Sequence, residues 1–260
     1  MEIGLSTANY YPQYDTEDIV SLYGSIGVRT CEIFLNTFSE TREDYCKNLK
    51  EILDKYGMVC NSVHVMSSMM EPCLFDLHKR RRDDYLEIFK NTLRAINILG
   101  SDIYTFHGPT AYTMDNIPLS HTADCYDRIY CMAEEKDIRL AQENVWYLAS
   151  GNISFIENVM DKMKEEMKFT FDIKQARRSG TDTGRILSVM GENIINLHLS
   201  DSDGEKSCLL PGKGNYDFGG LFHELEKRNY RGRGILEVYR EDFDGREDLL
   251  KGIRHLAERL

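Results

Sequence analysis

Short runs of β-branched and aromatic residues alternate along this chain with longer stretches whose apolar positions recur every three or four residues, the pattern of βα units around a parallel sheet. Candidate strands fall near residues 2–8, 30–35, 59–65, 102–107, 138–143, 168–173, 194–199 and 233–238, each followed by a polar turn and a segment with helical spacing. Eight such units predict a closed barrel rather than an open sheet. The length of 260 residues agrees, since a single (β/α)8 or TIM barrel runs to roughly 250. Among the helices, Tyr85, Ile88, Phe89, Leu93, Ile96 and Leu99 form one apolar stripe at the 3.6-residue period, and Gly100 stops it as a left-handed C-terminal cap. Asp15 and Asp18 read as a helix start, the first as a capping acceptor and the second as a favourable charge at the positive end of the dipole. Leu249, Ile253 and Leu256 supply the inner stripe of the last helix. No linker, low-complexity tract or repeat divides the chain, so residues 1–260 are expected to form one domain.

In such a barrel the side chains at the C-terminal ends of the strands face an open mouth where chemistry is done. Six consecutive strands, from the third to the eighth, finish on His64, His107, Glu143, Asp172, His198 and Glu237. One carboxylate there is commonly a loop cap or a partner for an arginine. A converging set is different, because packed carboxylates repel one another unless protonated or neutralised by a cation. Glu143, Asp172, His198 and Glu237 offer three carboxylates and one imidazole, a donor mix suited to Mn²⁺, Zn²⁺, Co²⁺ or Mg²⁺ with positions left for water or substrate oxygens. His64 and His107 either add a second metal position sharing Glu143 or donate hydrogen bonds to substrate. Glu32, ending the second strand, either reaches the mouth or pairs with a base. Lys174, Gln175 and Lys213, the last in the turn Pro211-Gly212-Lys213-Gly214, are candidates for binding a hydroxyl or phosphate, although a plain turn explains Lys213 as well. Tyr10, Tyr11, Phe38, Trp146 and Tyr239 fall in mouth-side segments and either stack on a sugar face or pack the rim. His78, His121, His223 and His255 lie in or beside helices and read as surface or packing residues.

Composition narrows the partners. A formal charge of −11 opposes phosphate polyanions on average, and the one basic run, Arg80-Arg81-Arg82, reads as a solvated helix face, so no nucleic acid is expected. No apolar run approaches the roughly 18 residues of a membrane span and the start carries no secretory pattern, so a cytoplasmic protein without a membrane partner is expected. Seven scattered cysteines with no C-x-x-C pair suggest reduced thiols and neither a disulfide framework nor a thiolate zinc site. A small carbohydrate is the expected partner; a homo-oligomer is left open.

At its strand ends the chain resembles the xylose isomerase-like barrels, a group that includes sugar isomerases and epimerases and, more distantly, endonuclease IV. The resemblance rests on CEIFL (31–35), SVHV (62–65), FHGPT (106–110), QEN (142–144), FDIKQA (171–176), HLSDSDG (198–204), LPGKGNYDF (210–218) and ILEVY (235–239). It implies one metal held by Glu143, Asp172, His198 and Glu237. Two departures bear on activity. Endonuclease IV has a histidine three residues after its sixth-strand aspartate and an Asp-x-His pair after its seventh strand. Here the first place is Gln175 and residues 199–214 contain no histidine, so a trinuclear phosphodiesterase centre is incomplete. The epimerases use a histidine at the same sixth-strand place and an arginine soon after the seventh-strand histidine; Gln175 and the segment Leu199-Ser200-Asp201-Ser202-Asp203-Gly204 supply neither.

The expected chemistry is reversible proton transfer at a carbon next to a carbonyl, in a small sugar, sugar phosphate or hydroxyketone, with Glu143 and Glu237 on opposite sides of the metal as the acid/base pair. The alternatives are a metal-dependent phosphodiester hydrolase using His64 and His107 with Glu143 for a second ion, and a sugar-binding barrel that has lost turnover.

Overall fold

The structure is a computed structural model and describes residues 1–65 and 67–260. Eight parallel strands close on themselves in sequence order: β1 (Ile3–Ser6), β2 (Thr30–Leu35), β3 (Val59–Val65), β4 (Ile103–Phe106), β5 (Arg139–Glu143), β6 (Lys168–Asp172), β7 (Ile194–Leu199) and β8 (Gly234–Leu236), with β8 pairing back to β1. Helices between successive strands cover the outside, so the strands are buried on both faces and read as near-continuous apolar runs. The expected closed (β/α)8 barrel is what forms.

Several strands are shorter than the sequence pattern suggests, and side chains account for it. After β1 the chain turns into a 3-10 segment, Thr7–Tyr10, started by the Ser6 hydroxyl accepting from the Ala8 N–H. Asn9, in that segment, then ends β8. Its Oδ1 accepts from the Val238 N–H at 2.8 Å and its Nδ2 donates to the Leu236 carbonyl at 3.1 Å, replacing the next rung of the sheet. Glu237 sits between those two anchored residues.

The helix Lys79–Leu99 buries Phe89, Leu93, Ile96 and Leu99, while Tyr85 and Ile88 pack at its edge. Gly100 follows at φ 78°, a left-handed conformation that costs a glycine little. The expected role of Asp15 needs correction: it precedes the helix Thr16–Ser25, but its side chain makes no capping hydrogen bond, and Glu17 and Asp18 supply the negative charge of the first turn. Arg80 and Arg81 are exposed and Arg82 is half-buried. All seven cysteines are free, and no helix among the described residues is long and apolar enough to cross a membrane.

Below the mouth the barrel interior is polar. Glu32, Asn61, Ser62, Thr105, Thr170 and Asn196 are buried there. They satisfy one another: Ser62 and Thr105 donate to Glu32 Oε2 at 2.7 and 2.9 Å, and Asn61 Nδ2 donates to Asn196 Oδ1 at 3.0 Å. A buried polar layer is tolerable only when its members are paired in this way, and it forms the floor of the site.

Candidate metal centre

Strand register brings the acidic and imidazole groups together. Glu143 and Asp172 are the last residues of β5 and β6, His198 is opposite Asp172 in β7, and Glu237 follows β8. One ligand atom from each of the four lies within 4.8 Å of all the others. His198 Nδ1 is 2.5 Å from Glu237 Oε2 and 3.5 Å from both Glu143 Oε1 and Asp172 Oδ2. Neighbouring groups hold each side chain in this pose. Asn144 clamps β6 to the end of β5, its Oδ1 accepting from the Asp172 N–H at 2.8 Å and its Nδ2 donating to the Asp172 carbonyl at 3.0 Å. Asp172 divides its oxygens: Oδ1 accepts from the Gln175 N–H at 2.8 Å, leaving Oδ2 for the cluster.

Glu143 Oε2, Asp172 Oδ2, His198 Nδ1 and Glu237 Oε2 are buried, and their close contacts are ion pairs among themselves and with His107 and Lys174 rather than well-directed hydrogen bonds to the rest of the protein. Three buried carboxylates packed this closely repel one another unless a proton or a cation neutralises them. A divalent cation fits this donor set, since it would satisfy all four at once. On the far side of the imidazole, His198 Nε2 lies 3.0 Å from Glu32 Oε2, which is fully buried. Such a carboxylate fixes the ring so that Nδ1 faces the cluster. Glu32 therefore pairs with a base, and the base is His198.

The electrostatics are those of carboxylates and bases buried against one another. Burial opposes a charge on His198, but the carboxylates of Glu237 and Glu32 outweigh it and hold the imidazole well above its ordinary range. Burial likewise opposes ionisation of Glu143 and Glu237, yet His107 and His198 beside Glu143, and His198 and Lys174 beside Glu237, pull both below the usual carboxylate range. In Asp172 burial prevails over Lys174 and its pKa rises. A cation at this centre would compete with a proton on His198.

His64, His107 and Glu143 form a second group with ligand atoms within 4.8 Å of one another. The Nε2 atoms of His64 and His107 are 2.6 Å apart, and His107 Nε2 is 2.8 Å from Glu143 Oε2. Burial and the neighbouring His107 push His64 down to about 4, whereas the Glu143 carboxylate raises His107 against burial. Behind His107 lies Glu71, which the sequence pattern does not single out. It is fully buried and accepts from the backbone N–H groups of His107 and Gly108 at 2.7 and 2.9 Å and from the Tyr104 hydroxyl at 2.9 Å.

Of the other candidates, Lys174 is buried with Nζ 3.4 Å from Asp172 Oδ2 and 3.5 Å from Glu237 Oε1. Gln175 is buried and its Oε1 accepts from the Trp146 N–H at 3.3 Å. Lys213 is not brought to the cluster. It is exposed, and its charge acts on Asp248 of the last helix, while the Asp201 carboxylate accepts from the N–H groups of Gly212, Gly214 and Tyr216 and fixes the turn. Tyr10 packs under the rim against Tyr23 and Phe243, whereas Tyr11, Phe38 and Trp146 are exposed. His78 accepts from the Arg81 N–H, His121 lies beside Cys125, His223 is exposed, and His255 packs on Phe218.

Comparison with known proteins bears on the family and the fold. The family model for xylose isomerase-like TIM barrels matches residues 21–259. An uncharacterised protein of Mycobacterium leprae is 20% identical, covering 92% of this chain and 89% of its own. Among solved structures, a D-tagatose 3-epimerase-like protein superposes with TM-score 0.80 at 20% identity over 100% of this chain and 97% of its own. A 3-keto-D-glucoside 4-epimerase from E. coli follows with TM-score 0.75 at 14% identity, covering 100% and 98%. A D-psicose 3-epimerase from Clostridium cellulolyticum gives TM-score 0.73 at 15% identity, covering 100% and 96%.

Proposed function

Since the chain belongs to the xylose isomerase-like TIM barrel family, we propose that it is a divalent-metal-dependent isomerase or epimerase of a small carbohydrate, with Glu143 and Glu237 as its acid/base pair. The observation that carries this reading is the convergence of buried ligand atoms from Glu143, Asp172, His198 and Glu237 on one point. The epimerase names among the similar structures support the substrate class.

When bound, a divalent cation supplies positive charge that stabilises negative charge developing on a substrate oxygen. Glu143 and Glu237 come from β5 and β8 and reach the centre from different sides, so a substrate carbon above it meets a carboxylate on each face. One carboxylate takes the carbon-bound proton while the other, having first gained a proton from solvent, gives it to the opposite face; the proton held by the first then returns to solvent. General acid–base work of this kind contributes roughly 10²- to 10⁴-fold. His107, against Glu143 Oε2 at 2.8 Å, fixes that carboxylate. Asp172 and His198 hold the cation, with Glu32 orienting His198.

Incubating metal-loaded protein with a panel of ketoses in D₂O tests the reading: deuterium should enter at the carbon beside the carbonyl, and a panel without exchange refutes proton transfer. The His64, His107 and Glu143 group favours a second reading, a two-metal hydrolase. Two tightly bound ions per chain together with cleavage of bis-p-nitrophenyl phosphate would select it.

A further inference from the structure

Lys174 is the only buried lysine or arginine among the described residues, at 3% exposure. Burying an ammonium is costly unless it is paired and hydrogen-bonded. Its pairing is loose: Asp172 Oδ2 and Glu237 Oε1 are 3.4 and 3.5 Å away, whereas charge-assisted hydrogen bonds to carboxylate run at roughly 2.7–2.9 Å. Both oxygens belong to the carboxylates that point at the metal position, so loading that position draws their charge away from the lysine. Its three N–H groups then need other acceptors.

The surroundings show which acceptors would suit. Lys174 Nζ lies 5.1 Å from the centroid of the Tyr239 ring, and the Arg178 guanidinium lies 5.1 Å from the same ring. Arg178 also donates to the Tyr239 hydroxyl at 2.6 Å through Nη1 and to Ser207 Oγ at 2.8 Å through Nε. That fixes the guanidinium through two neutral acceptors, and none of the described ion pairs includes it. Tyr239 is two residues past Glu237, and Lys174 two past Asp172. The result is a pair of cations bracketing one tyrosine beside the metal position, one of them without a counter-charge.

We propose that Lys174, Arg178 and Tyr239 form an anion-recognising subsite beside the metal centre, so that the carbohydrate handled here carries a carboxylate or phosphate group. The proposal deepens the isomerase reading and rests on it for the carbohydrate. The loops after β1 to β5 carry exposed Tyr11, Tyr14, Phe38, Tyr112, Trp146 and Tyr147, whereas no exposed large hydrophobic residue is found in those after β6 to β8 among the described residues. The exposed aromatic groups thus belong to the loops after β1 to β5, and the Lys174, Arg178 and Tyr239 cluster to those after β6 and β8, an asymmetry suited to a ligand with one charged end.

The test is calorimetric binding to the Mn²⁺-loaded full chain of three probes that share a ketose core: fructose, fructuronate and fructose 6-phosphate. At least one anion should bind tenfold or more tightly than fructose, and whichever does so identifies the group as carboxylate or phosphate. Lys174→Met and the exposed-site variant Arg178→Gln should each bring that preference below about threefold. Lys174→Met should also bind Mn²⁺ at least as tightly as wild type, because a competing cation has been removed. Equal affinity for all three probes, or no binding of either anion, overturns the subsite, as does a preference that survives both variants. Metal binding and deuterium exchange read the underlying function separately: if they persist while the preference is absent, only the subsite fails, and if Mn²⁺ does not bind, the enzymatic reading fails.

Discussion

Replacing Glu32 with glutamine tests whether the buried carboxylate beneath the centre governs metal binding through His198. Glutamine keeps the size of the side chain. Its carbonyl can still accept from Ser62 and Thr105, which now donate to Glu32 at 2.7 and 2.9 Å, and those hydroxyls can turn to accept from its amide. The change therefore removes a charge facing His198 Nε2 at 3.0 Å while leaving the floor of the barrel filled. Loss of such an outer partner weakens metal binding roughly 10- to 100-fold, or about 1.4–2.7 kcal/mol.

A second consequence has the opposite sign. In the metal-free protein, burial disfavours a proton on His198, but Glu237 and Glu32 together raise its pKa well above the ordinary value. Metal must displace that proton, so below the His198 pKa apparent affinity falls about tenfold per pH unit. Without the Glu32 charge the His198 pKa drops and the proton competes less well. The wild-type advantage should then be largest at alkaline pH and shrink toward acid pH. Titrating Mn²⁺ calorimetrically between pH 6 and 9 in buffers of different ionisation enthalpy gives both the affinity and the protons released. A ratio of affinities that stays constant across this range would refute the route through His198, and an unchanged affinity at pH 9 would refute a role for Glu32 altogether.

Glu143→Gln and Glu237→Gln should each reduce turnover by at least 10²-fold with the circular dichroism spectrum unchanged, and near-normal turnover in either variant would contradict the two-base assignment. Burial pushes the Glu71 carboxyl up to about 7 from an ordinary 4.5. A folded-state value above the unfolded one means that its favourable contribution is full below the lower value and is lost as pH rises through the higher one. The denaturation midpoint of metal-free wild type should therefore fall between those two pH values relative to Glu71→Gln, and parallel profiles would contradict this. Mn²⁺ at 100 times its Kd should stabilise the fold by about 2.7 kcal/mol, roughly 5–10 °C in Tm for a chain of this size, and EDTA should reverse the shift; an unchanged Tm would argue against the converging ligand atoms being a metal position.

The alternation of strand-like and helical runs was enough to read the barrel, because each strand is buried on both faces and its apolar run stands out. The ends of β5 to β8 were legible for the same reason: Glu143, Asp172, His198 and Glu237 interrupt apolar runs at the point where a side chain enters the mouth. Residues whose role depends on distant partners were not legible. Glu71 precedes Pro72 in a turn with no periodicity, and its three donors lie 33–37 residues further along the chain. Asn9 shapes the end of β8 from 227 residues away. Lys213 stays open in the sequence between a ligand contact and a plain turn, because the Asp201 carboxylate that fixes the turn lies 11 and 13 residues before the N–H groups it gathers and shows no periodic pattern.

Those residues also explain how the barrel holds four ligand atoms on one point. Each of the four side chains, or the backbone beside it, is held by a neighbouring group: Asn144 and the Gln175 N–H for Asp172, Glu32 for His198, His107 for Glu143, and Asn9 flanking Glu237. With these partners in place the three carboxylates and the imidazole cannot rotate apart to relieve their mutual repulsion and desolvation. A looser site would spread into ordinary hydrogen bonds and gain stability at the expense of cation affinity. The convergence of the centre is thus a consequence of the contacts around it, and removing an anchor should let the corresponding ligand group turn away and weaken cation binding.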